Sequence, residues 1–220
     1  MSLNTTADIP NVTTQNDNSF SLTDKSAVIQ MFLSIIKQKD LYLYKHSVQT
    51  TKFALAIANE IGFNNHQKDL LNNASLIHDI GKLLLPEYIL LKGEDNLSKD
   101  EYKYIIKHPT YAKNILSHFN GLFSDDANII ELHHEHFNGK GYPFGLSGND
   151  IPLLSKIISV ADSFSAMIEE RPYKRPLPPE RAIKELVYNK STQFDPEIID
   201  IAIPAIDKFY SNTIYNGNSW

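Results

Sequence analysis

The stretch Asn72-Asn73-Ala74-Ser75-Leu76-Ile77-His78-Asp79-Ile80-Gly81-Lys82 decides how this chain is read. A helical stretch, about 66–79, ends in an adjacent imidazole and carboxylate, and Gly81 then breaks it. After Leu76 and Ile77, such a pair is costly to bury unless it is paired or bound to a metal. The bland alternative is that His78 caps the helix C-terminus, where the helix dipole favours a cation. A second doublet argues the same way. His133-His134-Glu135-His136-Phe137-Asn138-Gly139-Lys140-Gly141-Tyr142-Pro143 puts two imidazoles at a predicted helix end, ahead of a glycine-rich loop. Two helix-terminal doublets in one chain are hard to explain by solvation. Neutral imidazole suits Fe, Mn and Zn, and a carboxylate can bridge two ions that acidify a water, so the pair of motifs points to metal-assisted phosphoester hydrolysis.

Outward from these motifs the pattern is helical. Val28, Met31, Phe32, Ile35 and Ile36 share one face of a helix from Ala27. A second helix, roughly 40–61, carries Leu43, Val48, Phe53, Ala54, Ile57 and Ile61 and stops at Gly62. Ser98-Lys99-Asp100-Glu101 has the form of a capping box and opens a helix to about His108, after which Pro109 restarts the chain in another to about Phe119. Residues 125–136 read as a helix ending in the double His, and 137–151 as a long ordered loop of the functional kind. Pro152 fits the first position of a helix to about Ile168, and Pro179 and Pro196 open two more, near 179–189 and 195–209. Nothing alternates with a strand period. The chain reads as an all-α bundle without significant sheet. One domain, 25–210, follows a polar flexible arm, 1–24, and precedes a frayed tail, 211–220.

Composition narrows the function. The 220 residues are 42% hydrophobic, enough for a real core, and the net charge of -5 gives no basic footprint for duplex nucleic acid. With no cysteine, disulfides, zinc fingers and thiol nucleophiles are excluded. Without a signal-peptide pattern or an uninterrupted apolar span of ~18 residues, a cytoplasmic protein with no membrane insertion is expected.

Of the eight histidines, His66 and His118 read as surface residues, and His136 as bordering the loop outside any site. His46 sits mid-helix, and His108 closes a helix before Pro109. Asp162 follows the apolar run Ile157-Ile158-Ser159-Val160-Ala161 and so calls for a cation. Each is ambiguous singly; their joint occurrence is the signal.

The order His46, His78-Asp79, Asp162 resembles the His…His-Asp…Asp pattern of HD-domain phosphohydrolases. The segments His78-Asp79-Ile80-Gly81-Lys82, Lys107-His108-Pro109, His133-His134-Glu135, Gly139-Lys140-Gly141-Tyr142-Pro143 and Arg171-Pro172-Tyr173-Lys174 are similar to the HD-GYP branch, over about residues 26–209. The resemblance implies an HD-domain helical bundle with a long GYP loop that hydrolyses cyclic di-GMP to linear pGpG, sometimes onward to GMP. It implies two divalent transition-metal ions, Fe or Mn first, with Ni and Zn the other candidates. His46, His78, Asp79 and Asp162 would hold the first; Asp79 would bridge to the second, completed by His108, His133 and His134. Asp79 and Lys82 are the implied catalytic residues, Lys82 meeting a substrate phosphate, with Arg171, Lys174 and Tyr142 as further substrate contacts. Tyr173 and Phe144 are available to stack on a guanine or, equally, to pack their loops. A diguanylate cyclase domain is the implied partner at the GYP loop.

Three positions depart from the family. Tyr42 stands where some members have a Glu that helps assemble a third metal, so two metals are expected here. Ser165 replaces an Asp that the family often places near the substrate, and Asn138 replaces the Asp before the loop glycine. Two competing readings stay open: a degenerate module that binds the dinucleotide or a partner protein without turnover, and a hydrolase of another cyclic dinucleotide or nucleotide.

Overall fold

Asp40 starts the central helix, α2 (Leu41–Ile61), by accepting the Leu43 N–H on its carboxylate. Gly62 ends it in the left-handed region at φ 82°, returning its N–H to the carbonyls of Ala58 and Asn59. Between these caps Leu43, His46, Thr50, Phe53, Ala54 and Ile57 recur at three- and four-residue intervals and are buried. The computed structural model describes residues 22–90, 92, 96–170 and 175–215. In it α2 is packed by α1 (Leu22–Lys39), α3 (Asn65–Ile77), α8 (Leu153–Ile168) and α10 (Pro196–Tyr215). A short 3-10 segment, Ile80–Leu84, follows α3, and then come α4 (Glu87–Leu90), α5 (Lys99–Ile105), α6 (His108–Ser117) and α7 (Ser124–Glu131). α9 (Pro179–Tyr188) lies against α8 and α10. The described residues contain two isolated backbone bridges and no sheet, so the all-α bundle holds. None of their helices is long and apolar enough to cross a membrane.

The core is a stack of aromatic and branched side chains centred on α2. Phe53 meets Phe164 of α8 edge-on at 4.8 Å and Phe209 of α10 at 5.7 Å, tying three helices at one point. On the opposite flank Phe32 of α1 packs edge-on against Phe119 at 5.5 Å. Lys25 of α1 reaches the buried Asp126 of α7 at 2.5 Å, so the first helix is also held by charge. α8 buries Ile157, Ile158, Val160, Ala161 and Phe164, which suits a helix covered on several sides. Asp162 is the charged residue in that run, and its place on this packed helix is what brings it to the site.

Helix ends depart from the periodicity in an instructive way. α7 stops at Glu131, not near 136, and the double His lies in the turn beyond it. The Ile130 carbonyl that a continued helix would offer to the His134 N–H instead accepts from the His133 ring, Nδ1 to O 2.6 Å. α5 stops at Ile105, short of His108, because Pro109 has no N–H to give the Ile105 carbonyl; the His108 ring donates to it instead, at 2.7 Å. His108 therefore opens α6 instead of closing its predecessor. Pro152 caps α8 from outside its first turn, one position earlier than expected. The capping box at Ser98 and Glu101 forms as read, with both reciprocal hydrogen bonds present. α10 continues to Tyr215, into the segment read as a frayed tail. The N-terminal arm falls largely outside the described residues.

Phe53 is fully buried between two other rings. Phe53→Ala is therefore expected to cost about 3–5 kcal/mol of unfolding free energy, read by urea denaturation. A loss below about 1 kcal/mol would contradict a tightly filled junction of α2, α8 and α10.

Candidate metal centre

His78 caps α3, and its Nδ1 lies 2.7 Å from the Ser75 carbonyl. His108 and His133 repeat the arrangement at the ends of α5 and α7. A carbonyl oxygen only accepts, so each Nδ1 must carry the proton and each Nε2 is the nitrogen left to face inward.

At that point seven side chains meet. His46 Nε2 is 2.7 Å from Asp162 Oδ1 and 4.0 Å from Asp79 Oδ2. His78 Nε2 is 3.4 Å from Asp79 Oδ2, and His108 Nε2 is 3.1 Å from Asp79 Oδ1. The His133 and His134 rings lie 4.0 Å apart between centroids, and His108 and His134 4.9 Å apart. Three trios have ligand atoms within 4.8 Å of one another: His46, His78 and Asp79; His78, His133 and Asp162; His108, His133 and His134. Asp79 lies between the groups, with one oxygen toward His46 and His78 and the other toward His108. The cluster can hold metal ions.

Whether it fits them is testable from the protein atoms alone. His108 Nε2 and His133 Nε2 face each other at 3.4 Å, although both rings already donate through Nδ1. With Asp79 Oδ1 also 3.1 Å from His108 Nε2, three potential ligand atoms converge on one small space, an arrangement that suits a cation. Among the described residues the buried Nε2 of His134 has no hydrogen-bond partner. Electrostatics agree. Burial pushes the His133 pKa down, helped by repulsion from His78 and His108, to about 3, and it pushes His134 well below the usual imidazole range. Both imidazoles thus stay neutral and keep a lone pair to offer. Burial works against charge on Asp79 and Asp162 as well, but Lys82 and His78 outweigh it at Asp79, and His46 and His78 outweigh it at Asp162. Both stay ionised, well below the ordinary carboxylate range. These two anions likewise overcome burial at His78 and hold its pKa up at about 10. The site demands positive charge.

Two glycines allow the approach. A Cβ on Gly81 would sit 1.9 Å from the His108 carbonyl oxygen, so only glycine lets the 3-10 segment and α6 bring Asp79 against His108. A Cβ on Gly141 would lie 2.2 Å from the His136 nitrogen and 2.4 Å from the His134 oxygen.

Residues 30–198 match the HD domain family. A cyclic di-GMP phosphodiesterase of Thermotoga maritima is 33% identical over 174 residues, covering 79% of this chain and 47% of the relative. The chain belongs to the HD-GYP family. A 3'3'-cGAMP-specific phosphodiesterase of Vibrio cholerae is also 33% identical, over 77% of this chain and 36% of its own length. This HD-GYP chain thus spans about half the length, or less, of these curated relatives. The solved structure of an HDG"Y"P protein from Bdellovibrio bacteriovorus superposes with a TM-score of 0.65 at 22% identity, over 84% of this chain and 63% of that one, a likeness of fold.

The loop that names the HD-GYP family is organised by a residue to which sequence reasoning gave no role. Glu135 is 2% exposed, and its carboxylate accepts the backbone N–H groups of Phe144, Gly145 and Leu146 at 2.7, 3.2 and 2.9 Å. The available signal was the loop itself: glycine-rich backbone folded against the protein must find acceptors for its N–H groups. The loop also rests on the turn before α10, through Phe137 N–H to Gln193 O and Asn138 N–H to Thr192 O. Tyr142, expected to touch substrate, stacks on His134 at 4.8 Å and donates its backbone N–H to the His134 carbonyl. Lys82 lies beside Asp79, Nζ to Oδ2 2.8 Å. Glu169, also passed over, lies 3.4 Å from His46 Nδ1. Tyr42 is 49% exposed, one turn before His46, and Ser165 is buried on α8. His66 and His118 take no part in the cluster. Arg171, Tyr173 and Lys174 lie outside the described residues.

Because Gly141 touches the backbone that carries His134, Gly141→Ala is expected to reduce metal uptake while helical circular dichroism stays near wild type. Unchanged metal content by elemental analysis would mean that the loop does not hold His134 in place.

Proposed function

We propose that this domain hydrolyses cyclic di-GMP to linear pGpG at a two-metal site. The observation that carries the reading is the convergence of His108 Nε2, His133 Nε2 and Asp79 Oδ1 inside a cluster of five imidazoles and two carboxylates. His46, His78, Asp79 and Asp162 would hold one ion and Asp79, His108, His133 and His134 the other, with Asp79 as the bridge. Two divalent ions there, Fe or Mn first and Ni or Zn as alternatives, would supply Lewis acidity toward a phosphoryl oxygen and an acidified water.

The protein's own groups do the rest. With a net charge of -5 the chain offers no global attraction to an anionic dinucleotide, so positive charge must be local. Lys82 provides some of it: its ammonium beside Asp79 is positioned to neutralise charge gathering on the phosphate as the 3′-oxygen leaves and the ring opens. Arg171 and Lys174 are proposed as further phosphate or base contacts. Tyr142 would act through His134, by stacking on its ring, and also line the substrate's approach. Phe144, with 61% of its surface exposed on the loop, is open to a guanine or to a diguanylate cyclase partner at this face. The relative named for 3'3'-cGAMP favours a second reading in which another cyclic dinucleotide is the better substrate.

Asp79→Ala is expected to lose metal and activity together, whereas Lys82→Ala keeps the metal and lowers turnover by about 10²–10³-fold. Chromatography of products from Mn- or Fe-loaded protein, with metal content measured on the same samples, reads both. Equal activity in the two variants would place the chemistry elsewhere. Tight binding without turnover under any metal would favour a receptor, and faster cleavage of 3'3'-cGAMP would keep the reaction and change the substrate. The half-exposed Tyr42 in place of a carboxylate predicts two metal equivalents per chain; three fully bound equivalents would contradict it.

A further inference from the structure

His46 differs from the three histidines whose rings donate to carbonyls at the ends of α3, α5 and α7. It sits inside α2, where backbone carbonyls are taken by the helix's own N–H groups. What faces the nitrogen remote from the cluster is Glu169: its Oε2 lies 3.4 Å from His46 Nδ1, on a side chain only 9% exposed. The other nitrogen, Nε2, is the one turned to Asp162 at 2.7 Å and to Asp79 at 4.0 Å.

The chain reaches this position by a local route. Glu169 is the C-cap of α8, with extended backbone at φ -84° and ψ 138° and its N–H bonded to the Ser165 carbonyl one turn back. Leaving the helix there swings the carboxylate across to α2 from the same element that carries Asp162. Ser165, on the preceding turn, is buried but carries no charge that could serve instead. A carboxylate in so covered a place is costly to desolvate unless something donates to it, and the imidazole N–H is such a donor.

We infer that Glu169 is a positioning residue for the metal centre: it accepts the Nδ1–H of His46, fixes that tautomer, and aims Nε2 at the ions. A small side-chain rotation closes 3.4 Å to a hydrogen bond. Glu169 does for His46 what the Ser75, Ile105 and Ile130 carbonyls do for His78, His108 and His133. As an anion it also raises the ring's basicity more than a neutral carbonyl does. The inference rests on the two-metal reading above.

The test is Mn(II) affinity of the whole chain, measured by competition with a chromogenic chelator, alongside melting of the metal-free forms to compare folding. Glu169→Ala is expected to weaken Mn(II) binding about 10–100-fold, the usual effect of removing a partner behind a metal ligand. Glu169→Gln keeps a carbonyl acceptor at the same reach and is expected to stay within a few-fold of wild type. Glu169→Asp, shorter by one methylene, should behave like the alanine variant. Wild-type affinity in both the Ala and Asp variants overturns the positioning role, and so does a Gln variant as weak as Ala, which would leave charge alone as the cause. A wild-type chain that takes up no Mn(II), Fe(II), Ni(II) or Zn(II) overturns the two-metal reading and this inference with it.

Discussion

Three helix C-termini end on histidines whose ring N–H groups satisfy the carbonyls that the helices leave open, and the rest of the site follows from that contact. A helix end must place its last carbonyls somewhere. Here Ser75, Ile105 and Ile130 place theirs on His78, His108 and His133. One hydrogen bond performs three tasks: it terminates the helix, selects the tautomer and directs Nε2 inward. Three of the clustered imidazoles are therefore oriented by backbone, a more rigid support than a second side chain gives.

This arrangement concentrates unfavourable electrostatics that only cations resolve. Two ionised carboxylates and the neutral rings of His133 and His134 are gathered together, and the Nε2 atoms of His108 and His133 face each other at 3.4 Å. The hydrophobic packing of Phe53 with Phe164 and Phe209 holds α2, α8 and α10 in register against that strain. Lys82 is part of the balance, since its ion pair with Asp79 keeps that carboxylate charged. The GYP loop supports the cluster from the other side. Glu135 gathers its backbone N–H groups, and Gly141 lets it lie directly on the His134 backbone.

Much of this was legible in the sequence, for identifiable reasons. The 3.6-residue period of α1, α2 and α8 reports burial of one face, and burial is what holds them. The doublets His78-Asp79 and His133-His134 stood out because charge and imidazole at the end of apolar runs need a partner. The ends of α5 and α7 were misplaced because the competitor for the helix carbonyl is a side chain, and periodicity counts only backbone turns. Pro109 was the available clue: a residue without an N–H cannot satisfy Ile105, so something else must. Glu135 and Glu169 were passed over since their partners, loop amides and the far side of His46, become neighbours only after the chain folds.

The central claim is that Nε2 of each of these histidines, with Asp79 as the bridge, forms one two-ion centre. Anomalous difference density from crystals of Mn- or Fe-loaded protein tests it most directly. Two peaks are predicted, one bounded by His46, His78, Asp79 and Asp162 and the other by Asp79, His108, His133 and His134, every imidazole bound through Nε2. A single peak that leaves His108 and His133 facing each other without an ion, or coordination through Nδ1 with the helix-end carbonyls released, would contradict it.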